Sequence, residues 1–237
     1  LQDTGIFKRK GNGMNGCKDK ESIDSRQAER QQMVQEQIVS RGINNESVLK
    51  SMLDVPRHRF VEESYQDLAY FDGPLPIGEG QTISQPYIVA LMAAVLEPLP
   101  TDRFLEIGTG SGYAAAVLSR LVSVVYTIER CENLAKQAQA RFNELTYDNI
   151  RVRVGDGSKG WPEEAPFDGI LVTAGSPGIP DSLIKQLKPG GRMVIPAGPR
   201  SYQKLLLVKK NAAGEIYSEN IGMVFFVPLI GEEGWDW

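Results

Sequence analysis

From residue 103 onward, short apolar runs alternate with helix-like stretches, and this rhythm constrains the fold more than any other feature. The runs are Phe104–Ile107, Val124–Ile128, Ile150–Val154, Gly169–Val172 and Met193–Ile195. Residues 112–121 and 131–144 read as helices between the first three, and 180–187 as a third helix. Near-continuous apolar runs mark strands buried on both faces, and an intervening helix permits parallel pairing. The pattern predicts an α/β fold built on a doubly wound, mostly parallel sheet. Two later runs, Leu205–Lys209 and Gly222–Leu229, are joined through Asn211–Gly214 without a long helix. They predict an antiparallel C-terminal hairpin that closes the sheet.

The region before residue 101 reads differently. Residues 26–41 predict a helix stopped by Gly42, and 46–53 a second one with Asn45 as N-cap. A third is expected over 86–97. Between them lies FDGPLPIGEGQTISQP, from Phe71 to Pro86, a long Gly/Pro-rich loop. Such loops are either functional or packed connectors. Residues 1–25 are polar, punctuated by Gly11, Gly13 and Gly16, and predict a flexible tail. Residues 26–237 are thus expected to form one domain: N-terminal helices and a loop over 26–100, and the sheet core over 101–237.

Composition removes several classes of function. Lys and Arg total 26 against 30 Asp and Glu, for a formal charge of −4, which is a poor match to nucleic-acid phosphates. No apolar run reaches the ~18–20 residues of a membrane span. Cys17 and Cys131 are the two cysteines, too few for a zinc site. The one histidine is His58, which reads as structural in Pro56-Arg57-His58-Arg59-Phe60. A His-based triad would have to use it. Cys131, at a helix start, reads as an incidental surface thiol.

The most informative stretch is Leu105-Glu106-Ile107-Gly108-Thr109-Gly110-Ser111-Gly112-Tyr113. Glycines between a strand and a helix let the backbone turn tightly and approach a ligand. The dinucleotide pattern G-x-G-x-x-G is not met, because Tyr113 stands at its third glycine. Glu106 before the loop would repel a pyrophosphate but suit a ligand carrying ammonium and sulfonium charges. S-adenosylmethionine is such a ligand. Glu129 ends the next run, about 20 residues on, where an acid accepts ribose hydroxyls. It could equally favour the helix start that follows. Asp156 in Gly155-Asp156-Gly157 sits at a third strand end. It suits an adenine edge or a plain turn.

Taken in order, LEIGTGSGY, IE and GDG resemble the class I S-adenosylmethionine-dependent methyltransferases, a Rossmann-like fold. The upstream segment narrows the likeness. Ala69-Tyr70, Asp72, and the run from Pro74 through Gly80-Gln81-Thr82-Ile83-Ser84-Gln85-Pro86 resemble the protein-L-isoaspartate O-methyltransferases. So do Val55–Val61, Lys188–Arg192 and Val227-Pro228-Leu229. The resemblance implies methyl transfer to the α-carboxylate of L-isoaspartyl residues in damaged proteins and peptides, the first step of protein repair, with S-adenosyl-L-homocysteine as by-product. It implies Ser84 as the active-site residue, and Ile83, Gln85, Glu106, Gly108, Gly110, Glu129, Asp156 and Gly157 around the cofactor. Val227 matches a position beside the substrate. Tyr87 and Ile230 depart from the His and Thr of some relatives.

No metal, nucleic acid or membrane is expected, and a cytoplasmic monomer fits. A periplasmic setting stays open, because Leu1 in place of Met leaves any upstream signal unseen. Ser84 alone also reads as an N-cap before Pro86. A methyltransferase acting on another carboxylate or on RNA is the alternative. Against an RNA- or DNA-base enzyme, Asp168–Gly175 lacks the Asn/Asp-Pro-Pro-aromatic motif. A dehydrogenase would leave GQTIS unexplained. A module that binds without turnover would have no need of Ser84. Asn12-Gly13 and Asn15-Gly16 are prone to succinimide formation, so the tail is expected to become a substrate of the enzyme itself.

Overall fold

The computed structural model describes residues 26–236. The expectations for the tail, its two Asn-Gly pairs and Cys17 fall outside the described residues.

Helix α1 (Gln27–Met33) continues through a wider turn, Val34–Ile38, and a tighter one, Val39–Arg41. It stops at Gly42, whose φ of 88° is the left-handed conformation glycine accepts at least cost. Asn45 caps α2 (Glu46–Asp54), its Oδ1 accepting from the Val48 N–H at 3.1 Å. Pro86 opens α3 (Pro86–Val95), where a missing N–H costs nothing. Helix α3 buries Val89, Ala90, Met92 and Ala93, as a helix apolar on most sides must.

The loop from Phe71 to Pro86 is more ordered than its composition suggests. It contains a small antiparallel hairpin, β1 (Leu75–Pro76) and β2 (Thr82–Ile83), with Leu75 opposite Ile83. Gly78, Glu79 and Gly80 turn it with positive φ.

The remaining strands are β3 (Arg103–Ile107), β4 (Val124–Glu129), β5 (Ile150–Val154), β6 (Phe167–Val172), β7 (Leu187–Ala197), β8 (Gln203–Lys210) and β9 (Ile216–Val224). They form one sheet in the order β5-β4-β3-β6-β7-β8-β9. Strands β3 to β7 pair in parallel, and β7-β8-β9 pair antiparallel. Helices α4 (Tyr113–Ser119), α5 (Glu132–Glu144) and α6 (Asp181–Gln186) join them. This is the doubly wound, mostly parallel sheet with an antiparallel C-terminal hairpin that the apolar rhythm predicts. Along β3, Phe104 faces one core and Leu105 and Ile107 the other, so alternate residues fill two layers.

Two boundaries moved. Strand β7 starts at Leu187 rather than Met193, because Pro189-Gly190-Gly191, which carries no apolar run, lies within an irregular register between Phe167↔Leu187 and Gly169↔Arg192. Strand β9 starts at Ile216, because residues 216–220 are an exposed edge with no apolar face to recognise. Residues 225–229 leave the sheet and cross its end, where Gly175 and Val227–Leu229 exchange backbone hydrogen bonds.

Candidate active site

The chain runs outward from β3 to β5, then returns to lay β6 on the other side of β3. At such a reversal the loops after two neighbouring strands part, leaving a crevice at the carboxyl ends. A cavity of about 570 Å³ lies there. Its wall takes Ile107 and Gly108 from the end of β3, Glu129 from β4, Gly157 after β5 and Thr173 after β6.

Gly108 shows why this wall must be bare backbone. Its φ is 95°, and an added Cβ would lie 2.5 Å from Thr173 Oγ1. That hydroxyl donates to the carbonyls of Ile107 (2.9 Å) and Gly108 (2.7 Å), pinning the loop after β6 to the loop after β3. Glu129 is held by two main-chain donors. Gly110 N–H donates to its Oε2 and Cys131 N–H to its Oε1, both at 2.9 Å. A carboxylate has about four acceptor sites, so acceptor capacity remains toward the cavity. The two readings of Glu129, ligand acceptor and aid to the following helix, are therefore compatible.

Glu106 lies elsewhere than expected. It is fully buried and off the cavity wall. Its side chain shares the sheet face of Thr127, whose hydroxyl donates to Oε2 at 2.5 Å. Thr127 Oγ1 in turn lies 2.7 Å from Thr109 Oγ1 in the glycine loop. Burial raises the Glu106 pKa to about 8, with nearby Glu129 adding to it and the Thr127 hydrogen bond opposing it. Burial thus favours the neutral form of this group, and its place on the sheet face beside Thr127, off the cavity wall, differs from the anionic contact its sequence position suggested.

Asp156 is also engaged. Its Oδ1 accepts from Ser158 N–H (2.9 Å) and Oγ (2.7 Å), and its Oδ2 from Glu232 N–H (2.9 Å). Burial pushes its pKa up, but these hydrogen bonds outweigh it and hold the pKa low. Gly157, beside it, reaches the wall while Asp156 does not.

The opposite wall comes from the β1–β2 hairpin, through Glu79, Gln81 and Thr82. Asn133 Nδ2 donates to Glu79 Oε1 at 2.9 Å, tying the hairpin tip to α5. Ile77 packs against Gly110. Ser84 follows two residues after Thr82, is half-buried, and is not itself on the cavity wall. The N-cap of α3 is Gln85, without a side-chain capping bond. The Ser84 hydroxyl is therefore not the cap expected from sequence. Ile83 is buried in the core. Gln85 Nε2 donates to Asp72 Oδ1 at 2.8 Å. Asp72 also pairs with Arg41, whose guanidinium lies 4.8 Å from the Tyr87 ring, so the aromatic departure at Tyr87 stacks beneath a cation.

Behind this loop, Arg57 Nε–H donates to Ala69 O at 2.8 Å and His58 Nδ1 sits 2.8 Å from the Tyr70 hydroxyl. Burial, then Arg26, Arg30 and Arg59, lower the His58 pKa to about 4. A neutral imidazole bonded to Tyr70 and absent from the cavity wall fits its structural reading.

Val227 lines the cavity as expected, together with Ile230 at the second departure. Cys131 lines it too, rather than standing as an incidental surface thiol. Sequence reasoning missed Thr173, Arg200 and Asp236. Thr173 was findable as the residue after an apolar run at the ligand edge. Arg200 and Asp236 carry no pattern, because they meet the cavity only through the fold. Arg200 Nη2 donates to Asp236 O at 2.6 Å, and its guanidinium lies 5.1 Å from the Trp235 ring. Trp235 packs, its Nε1–H donating to Gly175 O at 3.1 Å; Trp237 is outside the described residues. Among the described residues, no group of three or more His, Cys, Asp or Glu is placed to hold a metal ion. None of their helices is long and apolar enough to cross a membrane.

The family model described as protein-L-isoaspartate(D-aspartate) O-methyltransferase matches residues 28–234. The chain is 64% identical over 212 residues to the protein-L-isoaspartate O-methyltransferase of Pelotomaculum thermopropionicum, covering 90% of this chain and 93% of that one. It is 52% identical over 215 residues to protein-L-isoaspartate O-methyltransferase 2 of Pelobacter propionicus, covering 90% and 96%. Among solved structures, it is similar to a protein-L-isoaspartate O-methyltransferase with a TM-score of 0.79 at 30% identity, covering 86% of this chain and 67% of that one. A Plasmodium falciparum protein described as a putative member, in complex with S-adenosyl-L-homocysteine, matches with a TM-score of 0.71 at 26% identity, covering 86% and 97%.

Proposed function

We propose, for a chain that belongs to the protein-L-isoaspartate(D-aspartate) O-methyltransferase family, that it transfers a methyl group from S-adenosylmethionine to the α-carboxylate of L-isoaspartyl residues. The observation that carries this reading is one cavity walled by Gly108 and Glu129 on one side and Thr82 and Val227 on the other. A donor and an acceptor can meet there.

The residues fit the cofactor. A side chain at Gly108 would collide with Thr173, so the wall there stays bare, and Glu129 presents acceptors for ribose hydroxyls. Gly108, Gly110 and Gly157 offer close backbone approach. When bound, S-adenosylmethionine supplies an electrophilic methyl group on a sulfonium. Glu106 and Asp156 serve the site at one remove. Glu106 steadies Thr109 of the glycine loop through Thr127, and Asp156 fixes the turn that carries Gly157. Ile83 and Gln85 lie off the cavity wall and serve it by anchoring the turn that carries Ser84, one in the core and the other on Asp72.

The acceptor is a carboxylate with an ordinary pKa of about 3.5–4, so it is ionised at neutral pH. No base is needed, which suits a chain whose one histidine is neutral and bonded to Tyr70. The protein's task is to align oxygen, methyl and sulfur, and alignment of this kind is worth up to ~7–11 kcal/mol. Ser84 donates a hydrogen bond that orients the acceptor carboxylate. The methyl ester is then attacked by the following backbone nitrogen, methanol leaves, and the succinimide hydrolyses partly to aspartate. The setting we propose is a cytoplasmic monomer acting on damaged proteins and peptides, without nucleic acid or membrane.

Mass spectrometry of an isoaspartyl peptide incubated with enzyme and S-adenosylmethionine tests this. The expected course is gain of one methyl group, then loss of methanol to give the succinimide. A methyl group that stays on through mild base would overturn carboxyl methylation.

A further inference from the structure

Three large apolar side chains stand exposed at or next to the strand ends on the ligand edge of the sheet. Tyr202 is 53% exposed, Met223 58% and Phe225 76%. Strand β7 ends at this edge, β8 starts there and β9 ends there. Gln203 pairs with Val224 and Lys204 with Met223. Gln203 is buried and Val224 packs on the core, so Met223 lies on the opposite face. Tyr202 immediately precedes β8 and Phe225 immediately follows β9, so each exposed ring stands next in sequence to the strand ends where Lys204 pairs with Met223.

The patch is bracketed by the cavity on both chain segments. Arg200, two residues before Tyr202, lines the cavity, and so does Val227, two residues after Phe225. The connection is rigid. Phe226 is buried, its N–H donates to Gln203 Oε1 at 2.9 Å, and Gly175 N–H donates to Val227 O at 2.7 Å. Two residues of extended chain span about 7 Å. A peptide whose modified residue sits in the cavity has chain on both sides of it, and this rim is within two residues' reach of the cavity wall at Arg200 and Val227.

We propose that Tyr202, Met223 and Phe225 receive an apolar or aromatic side chain of the acceptor peptide, within about three residues of the isoaspartyl position. This rests on the peptide-carboxylate reading above. The rim thereby ranks damaged sites: those with an apolar neighbour, which are buried in intact proteins and exposed when these unfold, are methylated first.

The test is a scan of synthetic peptides. An isoaspartyl parent with serine at all flanking positions is compared with variants carrying one phenylalanine at each of three positions on either side. For the wild-type enzyme, phenylalanine at one or two positions should raise kcat/KM roughly 10-fold, through KM. Phe225→Ser and Met223→Ser should each erase most of that gain, while S-adenosyl-L-homocysteine affinity stays within twofold and thermal unfolding is unchanged. A flat scan on a methylated parent would overturn the rim, as would a gain that survives both substitutions. So would a wild-type dimer in sedimentation that Phe225→Ser dissociates, since a second copy would then occupy the patch. Transfer to the parent itself reports on the reaction, so failure of the rim is read separately from failure of the peptide-carboxylate reading.

Discussion

On the proposed donor side of the cavity three glycines shape the wall. Gly108, Gly110 and Gly157 leave it bare, and Glu129 is fixed by the N–H groups of Gly110 and Cys131. On the acceptor side, position is set by side chains reaching across the fold. Asn133 holds the hairpin tip at Glu79, Gln85 and Arg41 hold Asp72, and Arg57 and His58 hold Ala69 and Tyr70. The donor is one molecule of constant shape, and rigid backbone at strand ends suits it. The proposed acceptor is a residue in many different peptides, and a hairpin held by polar side chains suits a wall that must take them all.

If the two sides are separable, substitutions should strike one and spare the other. The largest effect is expected at Glu129. Glu129→Ala removes the acceptor of the Gly110 N–H and the proposed ribose contacts. It should weaken S-adenosyl-L-homocysteine binding by about 3 kcal/mol, roughly 100-fold, in calorimetry. An unchanged Kd would remove Glu129 from the donor side.

Ser84→Ala should do the reverse. Turnover of an isoaspartyl peptide is expected to fall roughly 30-fold, about 2 kcal/mol, with cofactor affinity within twofold. A matching loss of affinity would merge the two sides.

Glu106 sharpens the comparison through pH. Its carboxyl has a pKa of about 8 in the folded chain against an ordinary 4.5. Because the folded value is the higher one, its stabilising effect is fully present below pH 4.5 and is lost as pH rises toward 8. The group should therefore tilt stability downward by up to about 1.4 kcal/mol per pH unit in that window. Glu106→Gln should flatten this part of the denaturation-versus-pH curve. Parallel curves for the two proteins would contradict a buried neutral acid beneath the loop.

The smallest effect is at Asn45, remote from both sides. Asn45→Ala should cost about 1 kcal/mol of stability by removing the α2 cap, without altering cofactor affinity or turnover.

The same contrast explains what the sequence made legible. Turns at strand ends leave local signatures, so the glycine loop, Glu129 and the turn at Gly157, which line the cavity, are legible in the sequence. The parallel sheet followed from its apolar runs, and Asn45 and Gly42 marked helix ends by their own local chemistry. Contacts between residues far apart in the chain left no such mark. Glu232 reaches Asp156, and Arg200 reaches Asp236, only because residues 225–236 cross the end of the sheet. The hairpin within 71–86 was hidden because its strands are two residues each. Glu106 was misjudged because sequence gives its place beside the loop but not the sheet face it takes. On that face it meets Thr127 and loses its water.

The most direct measurement compares two synthetic peptides that differ only in carrying aspartate or isoaspartate, with labelled S-adenosylmethionine as donor. Base-labile label is expected on the isoaspartyl peptide alone. Equal labelling of both, or label on neither while S-adenosyl-L-homocysteine still binds, would contradict that expectation.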